Sequence, residues 1–179
     1  MTQQAGFIND LTALMVPDPA IALTRYGFTL PLRRDLLEAL TIDGRRAQSR
    51  YNDAVEATSE RLGATRAVLN DLRASVDLIP PGNVYTRTSP SSPLLIVAQN
   101  GLPLPVETAI GVSGPDDAQL NTPSVLRIPA RGSVTVQMTA DLPDSTRETD
   151  LKLYLTSPNG QPISRPVDIT VRTLSLIHI

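Results

Sequence analysis

Ile79-Pro80-Pro81-Gly82-Asn83-Val84 is the stretch on which the reading of this chain turns. Two consecutive prolines fix φ and remove backbone donors, and Gly-Asn follows, so no helix crosses it. Three of the sixteen prolines lie in residues 1–79 and thirteen in 80–179. The charges do not divide this way, since each half is close to neutral. The break is therefore one of structure, with different elements expected on its two sides.

Downstream, apolar residues recur with period two. Leu94-Leu-Ile-Val-Ala-Gln99 reads as a buried run and Val125-Leu-Arg-Ile128 as a short strand. Val106, Thr108, Ile110 and Val112 alternate with Glu107, Ala109 and Gly111. Val134, Val136 and Met138 alternate with Thr135 and Gln137. The same holds for Leu151, Leu153 and Leu155, and for Val167, Ile169 and Val171. Such alternation predicts antiparallel strands with one face buried and one wet. Asn100-Gly101, Ala130-Arg-Gly132 and Pro158-Asn-Gly160 supply turn chemistry between them. With Val84–Thr88 this makes about seven short strands, the count and spacing of an immunoglobulin-like or fibronectin-type β-sandwich. The Cys…Trp…Cys pattern of antibody domains is absent.

Upstream, the period is helical. Phe7, Leu11, Leu14 and Met15 predict a helix over residues 2–15. Asp18-Pro19 is read as the start of a short helix ending at Gly27, and Pro31 as the opening of another from Leu32 to about Leu40. Asp43 would cap a long helix reaching about Leu78. Its seam runs Tyr51, Val55, Thr58, Leu62, Thr65, Leu69, Leu72, Val76 and Ile79, spaced alternately by four and three. That spacing suits two packed helices. Leu62, Leu69 and Leu72 are expected to be buried against residues 7–40 of the same chain. A self-associating coiled coil and docking on a neighbouring domain are the alternatives.

The fold class expected is thus α+β in two parts: a helical segment over 1–79 with one long helix, then the sandwich over 84–173. At 179 residues the chain holds one ordinary domain or two small ones.

Composition removes most chemistry. The net charge of −2 argues against nucleic acid or an anionic membrane surface as the main partner. No cysteine is present, which excludes disulfides, Cys-ligated metals and thiol nucleophiles. The single histidine, His178, stands next to the last residue, so no serine has a credible base; Ser113 and Ser133 read as turn residues at strand ends. Asp116-Asp117 is the only adjacent acidic pair and reads as a solvated turn, as do Asp141, Asp144, Glu148 and Asp150. Arg33-Arg34 and Arg45-Arg46 have acids nearby and read as solvated helix faces. Aromatic residues make up 3%, so stacking platforms are scarce. The residues themselves therefore point to no catalytic, cofactor-binding or metal-binding position. No stretch approaches the ~18 apolar residues of a membrane span. The first ten residues lack the features of a signal peptide, and taken literally that start implies the cytoplasm.

Two stretches carry a resemblance. One is Asp18-Pro-Ala-Ile-Ala-Leu-Thr-Arg-Tyr-Gly-Phe-Thr-Leu-Pro-Leu-Arg-Arg-Asp-Leu-Leu37. The other runs from Leu78-Ile-Pro-Pro-Gly-Asn-Val-Tyr85 through Ser92–Val106 to Ile128-Pro-Ala-Arg-Gly-Ser-Val-Thr-Val-Gln-Met138. Over residues 10–173 the chain resembles the C-terminal part of large, uncharacterised secreted actinobacterial envelope proteins, often encoded beside a lipid II flippase. The resemblance implies a helical segment and sandwich outside the cytoplasm, in a parent anchored by one transmembrane helix absent here. It implies no catalytic residue. Against that family Met1 looks like an internal methionine, and Leu174-Ser-Leu-Ile-His-Ile179 resembles a non-native tail. The function expected is a non-catalytic structural or binding fragment of an extracytoplasmic envelope protein, with an envelope protein or polysaccharide as partner. The alternatives are an accessory region of an envelope enzyme and a cytoplasmic helical dimerisation adaptor.

Overall fold

The computed structural model describes residues 2–43, 46–80, 82, 84–89, 92–116, 118–142 and 148–174. Three α-helices come first: α1 (Thr2–Leu14), α2 (Arg25–Leu40) and α3 (Tyr51–Ala74), the last preceded by one 3₁₀ turn at Gln48–Arg50. Nine strands follow among the described residues. They are β1 (Val76–Ile79), β2 (Val84–Arg87), β3 (Pro93–Asn100), β4 (Val106–Ser113), β5 (Gln119–Asn121), β6 (Leu126–Ile128), β7 (Gly132–Asp141), β8 (Glu148–Thr156) and β9 (Val167–Thr173).

The expected helix over 2–15 is present and Leu32–Leu40 is helical as expected, but the short helix from Asp18-Pro19 to Gly27 is not formed. Asp18 and Pro19 form a turn: the Asp18 carboxylate accepts from Ala20 N at 2.9 Å, and its carbonyl accepts from Ile21 N at 3.0 Å. The cap that starts α2 is Thr24, whose hydroxyl accepts from Gly27 N at 3.0 Å. Gly27 and Pro31 both lie inside that helix. The helix expected to open at Pro31 thus starts six residues earlier, at the Thr24 cap, and carries Gly27 and Pro31 within its first two turns.

The long helix ends at Ala74 instead of Leu78. Residues Val76–Ile79 leave it as a strand paired with β3, in register from Val76↔Asn100 to Ile79↔Val97. The turn into that strand is tight. Gly101 N donates to Ser75 O at 2.8 Å, and a Cβ on Gly101 would meet Ser75 Cβ at 2.9 Å. A side chain there would push the strand off its partner.

The strands form two sheets. Sheet I has the order β1-β3-β7-β5, and sheet II the order β2-β9-β8-β4-β6. Two features differ from expectation. The strands number nine instead of about seven. Pairing is also not wholly antiparallel, since β2 lies parallel to β9, from Val84↔Thr170 to Arg87↔Thr173. The connector at Asn100-Gly101 is not a hairpin either. It crosses from sheet I to sheet II, and the buried Asn100 amide holds it: Nδ2 donates to Leu104 O and Pro129 O at 2.9 and 3.0 Å, and Oδ1 accepts from Leu102 N at 2.9 Å.

Alternation buries one face of each sheet. Leu94, Ile96 and Ala98 of β3 and Val136, Met138 and Ala140 of β7 point inward from sheet I. Leu151, Leu153 and Leu155 of β8 with Ile169 and Val171 of β9 do so from sheet II. All join one core with Ile8, Leu11, Leu14, Met15 and Leu69 of the helical part. Each such leucine or isoleucine contributes about 1.5–3 kcal/mol on burial.

The helices close the end at which β1 and β4 begin. Met15 bridges Val106, Val16 N donates to Pro105 O at 2.8 Å, and Arg73 donates to Pro162 O at 3.2 Å while lying 4.4 Å over the Phe7 ring. The seam of α3 is buried at Thr58, Thr65 and Leu69, and Leu62 and Leu72 pack on the core while half-buried. Its first two members are open, with Tyr51 51% and Val55 46% exposed. No helix among the described residues is long and apolar enough to cross a membrane.

Candidate functional site

The positions singled out for chemistry are dispersed. Asp116 is exposed in the turn after β4, and Asp117, Asp144, Arg45 and His178 lie outside the described residues. Asp141 is exposed at the end of β7. Ser113 and Ser133 are exposed at opposite ends of β4 and β7. Arg33 donates to Asn9 Oδ1 at 3.0 Å and to Thr12 Oγ1 at 3.3 Å, fastening α2 to α1. Arg34 and Arg46 are exposed. No group of three or more metal-ligating side chains occurs among the described residues.

What the fold does bring together is two outer sheet faces of opposite character. On sheet II the outward residues of β8 and β9 are charged and matched across the strands. Glu148 pairs with Arg172 at 2.6 Å and Lys152 with Asp168 at 3.7 Å, while Thr170 donates to Asp150 at 2.6 Å. Register places each pair directly opposite, and Glu107 likewise faces Arg127. Opposite charges in these positions stabilise a sheet modestly.

The outer face of sheet I carries hydroxyls, amides and a few apolar groups. Its rows follow from register: Gln99 beside Ser133, Val97 beside Thr135 and Ile79, Leu95 beside Gln137, and Thr139 between Pro93 and Asn121. Among the described residues charge stands only at its margins: Asp77 on β1, Asp141 at one end of β7 and Arg131 just before the other. Two shallow hollows lie on this face. One, of about 450 Å³, is lined by Ile79, Val97, Gln99, Asn100, Gly101, Arg131, Gly132 and Ser133. The other, of about 330 Å³, is lined by Asn121, Thr122, Pro123, Gln137, Met138 and Thr139. Arg131 has φ +48°, a left-handed conformation uncommon for such a residue, and its amide donates to Leu102 O at 3.0 Å.

Two further side chains went unread in the sequence. Arg87, in edge strand β2, is 2% exposed. It donates to Ala140 O at 2.8 Å, Leu142 O at 3.1 Å and Thr173 Oγ1 at 3.1 Å. Tyr85, two residues earlier, donates to Leu95 O at 2.7 Å, and burial raises its phenol above its ordinary value. Together they latch β2 of sheet II onto sheet I. Nothing in a single strand pattern distinguishes an arginine that spans two sheets from a solvated one.

A family model described as a family of unknown function matches residues 32–177. The search of curated proteins found no match. Among solved structures the chain is similar to the PapD-like domain 7 of human CEP192, with 11% identity and TM-score 0.40, covering 59% of this chain and 88% of that one. It is also similar to a FixG-related protein from Vibrio parahaemolyticus (14% identity, TM-score 0.37, 48% and 78% covered) and to the Pseudomonas aeruginosa CupB2 chaperone (16%, 0.36, 53% and 54%).

Proposed function

From a chain that belongs to the DUF6049 family of unknown function, we propose a non-catalytic module that works by contact, an immunoglobulin-like β-sandwich of an extracytoplasmic envelope protein with a helical layer docked on one end. The observation that carries this reading is the contrast between the outer sheet faces. Depletion of charge is the compositional mark of an interface centre, where desolvating a charge is costly. Sheet I shows that depletion over the middle of its outer face, whereas sheet II has a solvated lattice of cross-strand ion pairs. The shared core makes helices and sheets one body, so the face is presented on a stiff support. The envelope setting rests on the resemblance set out above.

The test is retention on isolated envelope material of the source organism. Wild-type chain should co-sediment with it. Thr135→Lys, a charge at the middle of the sheet I face, should release it, and Lys152→Gln on sheet II should not. Equal retention of all three, or a wild type that stays in the supernatant, overturns the reading.

A further inference from the structure

We propose that the outer face of sheet I is a self-association surface, on which a second copy of this chain packs face to face with its strands antiparallel. This rests on that face being a contact surface and adds the identity of the partner. The argument is one of self-complementarity about a two-fold axis. Let the axis lie between the two copies, parallel to the sheets and across their strands, passing over Val136. Each β7 then lies over the β7 of the other copy, running oppositely. Residues equidistant from Val136 meet, so Arg131 of one copy falls against Asp141 of the other, twice per dimer. Both are exposed, Asp141 ends β7 and Arg131 immediately precedes it, and among the described residues neither has an ion pair.

The rows between them match as well. Ile96 is opposite Val136 in the ladder, so the same axis sets Leu95 of one copy against Val97 of the other, apolar on apolar. Thr135 falls against Gln137 and Ser133 against Thr139. Hydroxyls and amides both donate and accept, so such pairs satisfy each other without a fixed polarity. A face built of one charge sign could not do this. Aligned sheets pack with a twist of about 30°, which leaves the central rows in contact and loosens the corners.

Area sets the strength. Strands of four, eight, ten and three residues, at ~4.8 Å spacing and ~3.3 Å per residue, give on the order of 400 Å² per copy. About 800 Å² in total lies below the standard size of specific interfaces, among weak and transient contacts, so the dimer should be weak, with a Kd on the order of 100 μM. Tethered copies at high local concentration would associate; dilute ones would not.

Sedimentation velocity over a concentration series tests this with the whole chain. Wild type should pass from monomer to dimer, and Thr135→Lys should stay monomeric over the same range, raising the Kd at least about tenfold. R131D and D141R should each lose the dimer, because each places like charges together at both ends. Asp is tolerated in the left-handed conformation of residue 131, and thermal melts of each variant check folding. Mixed in equal amounts, R131D and D141R should recover a dimer, since the two chains are then oppositely charged at both contacts. A monomeric wild type up to millimolar concentration overturns the proposal. So does a mixture that associates no better than its components. A monomeric wild type whose envelope retention still depends on Thr135 would mean another partner, a protein or neutral polysaccharide, and would leave the contact reading intact. A dimer whose loss leaves retention unchanged would do the reverse.

Discussion

The two sheets are alike inside and unlike outside. Their inner faces present the same leucine, isoleucine and valine chemistry to one core, but their outer faces divide the polar residues by charge. Glu148, Asp150, Lys152, Asp168 and Arg172 all belong to sheet II. Gln99, Ser133, Thr135, Gln137 and Thr139 belong to sheet I. Both sets satisfy period-two patterning equally well, so folding alone does not demand the division. A polar residue facing water needs only to be polar, and the sorting by charge is left to be explained by what each face meets.

The likeness of the inner faces should give the largest effects, and equal ones. Ile96 in sheet I and Leu153 in sheet II are both fully buried. Ile96→Ala and Leu153→Ala should each cost about 2–5 kcal/mol in chemical denaturation. Leu69→Ala in α3 should cost the same, because that side chain is also 0% exposed in the shared core. A small cost at Leu69 alone would mean that the helices are only loosely attached and that the sheets form the stable unit.

Next comes the latch between the sheets. Replacing Arg87 by Met keeps the stem but leaves Ala140 O and Leu142 O buried without their donors. A cost of about 2–4 kcal/mol is expected, as each buried unsatisfied group loses about 1–3 kcal/mol. Thermal melting checks it. A loss below about 0.5 kcal/mol would show water taking over the guanidinium's role, and the sheets would then be held by apolar contact alone.

Tyr85 makes the same connection with a titratable group. Its folded phenol is raised by burial, so the unfolded chain ionises first as pH climbs through about 10. Stability from this group is therefore complete below that pH and lost as pH rises towards the folded value. Tyr85→Phe should flatten this alkaline loss while costing about 1 kcal/mol at neutral pH for the missing hydrogen bond. An unchanged alkaline limb would place the loss elsewhere.

How much of this was legible follows from what a local pattern encodes. Alternation marked β4, β7, β8 and β9 and told inward from outward residues on each, whereas the apolar run of β3 reads as buried throughout and yet leaves Leu95 43% exposed on the outer face. The four-three spacing found the seam of α3 but ran on through Val76 and Ile79, because four residues fit a helix turn and a short strand equally. Only the pairing with β3, a long-range contact, decides between them. Similarly, the run Val84–Thr88 reads as a strand, but nothing in it states a parallel partner 86 residues away or makes Arg87 a buried link. The outward residues of each alternating strand were legible one by one. Their sorting into a charged and an uncharged face was not, since it depends on which strands share a sheet.

The smallest expected effect probes that sorting directly. Arg172 and Glu148 pair at 2.6 Å with both side chains about half exposed, so solvent weakens the attraction and the pair is worth about 0.2–1 kcal/mol. Arg172→Gln should lower stability by that amount in dilute buffer. At 1 M salt, where charges are screened within ~3 Å, the difference should vanish. Gln137→Glu on sheet I faces Leu95, with no opposite charge directly across the ladder. Its effect on stability should stay within about 0.5 kcal/mol at any salt concentration, as for other exposed positions. Urea titrations of both variants at low and high salt give four numbers. A salt-dependent difference confined to Arg172→Gln means that charge on sheet II contributes to holding its strands, and that its absence from sheet I is compatible with contact rather than stability. If both variants respond alike, the ion pairs do nothing for the fold, and the contrast between the faces must be explained entirely by what each one touches.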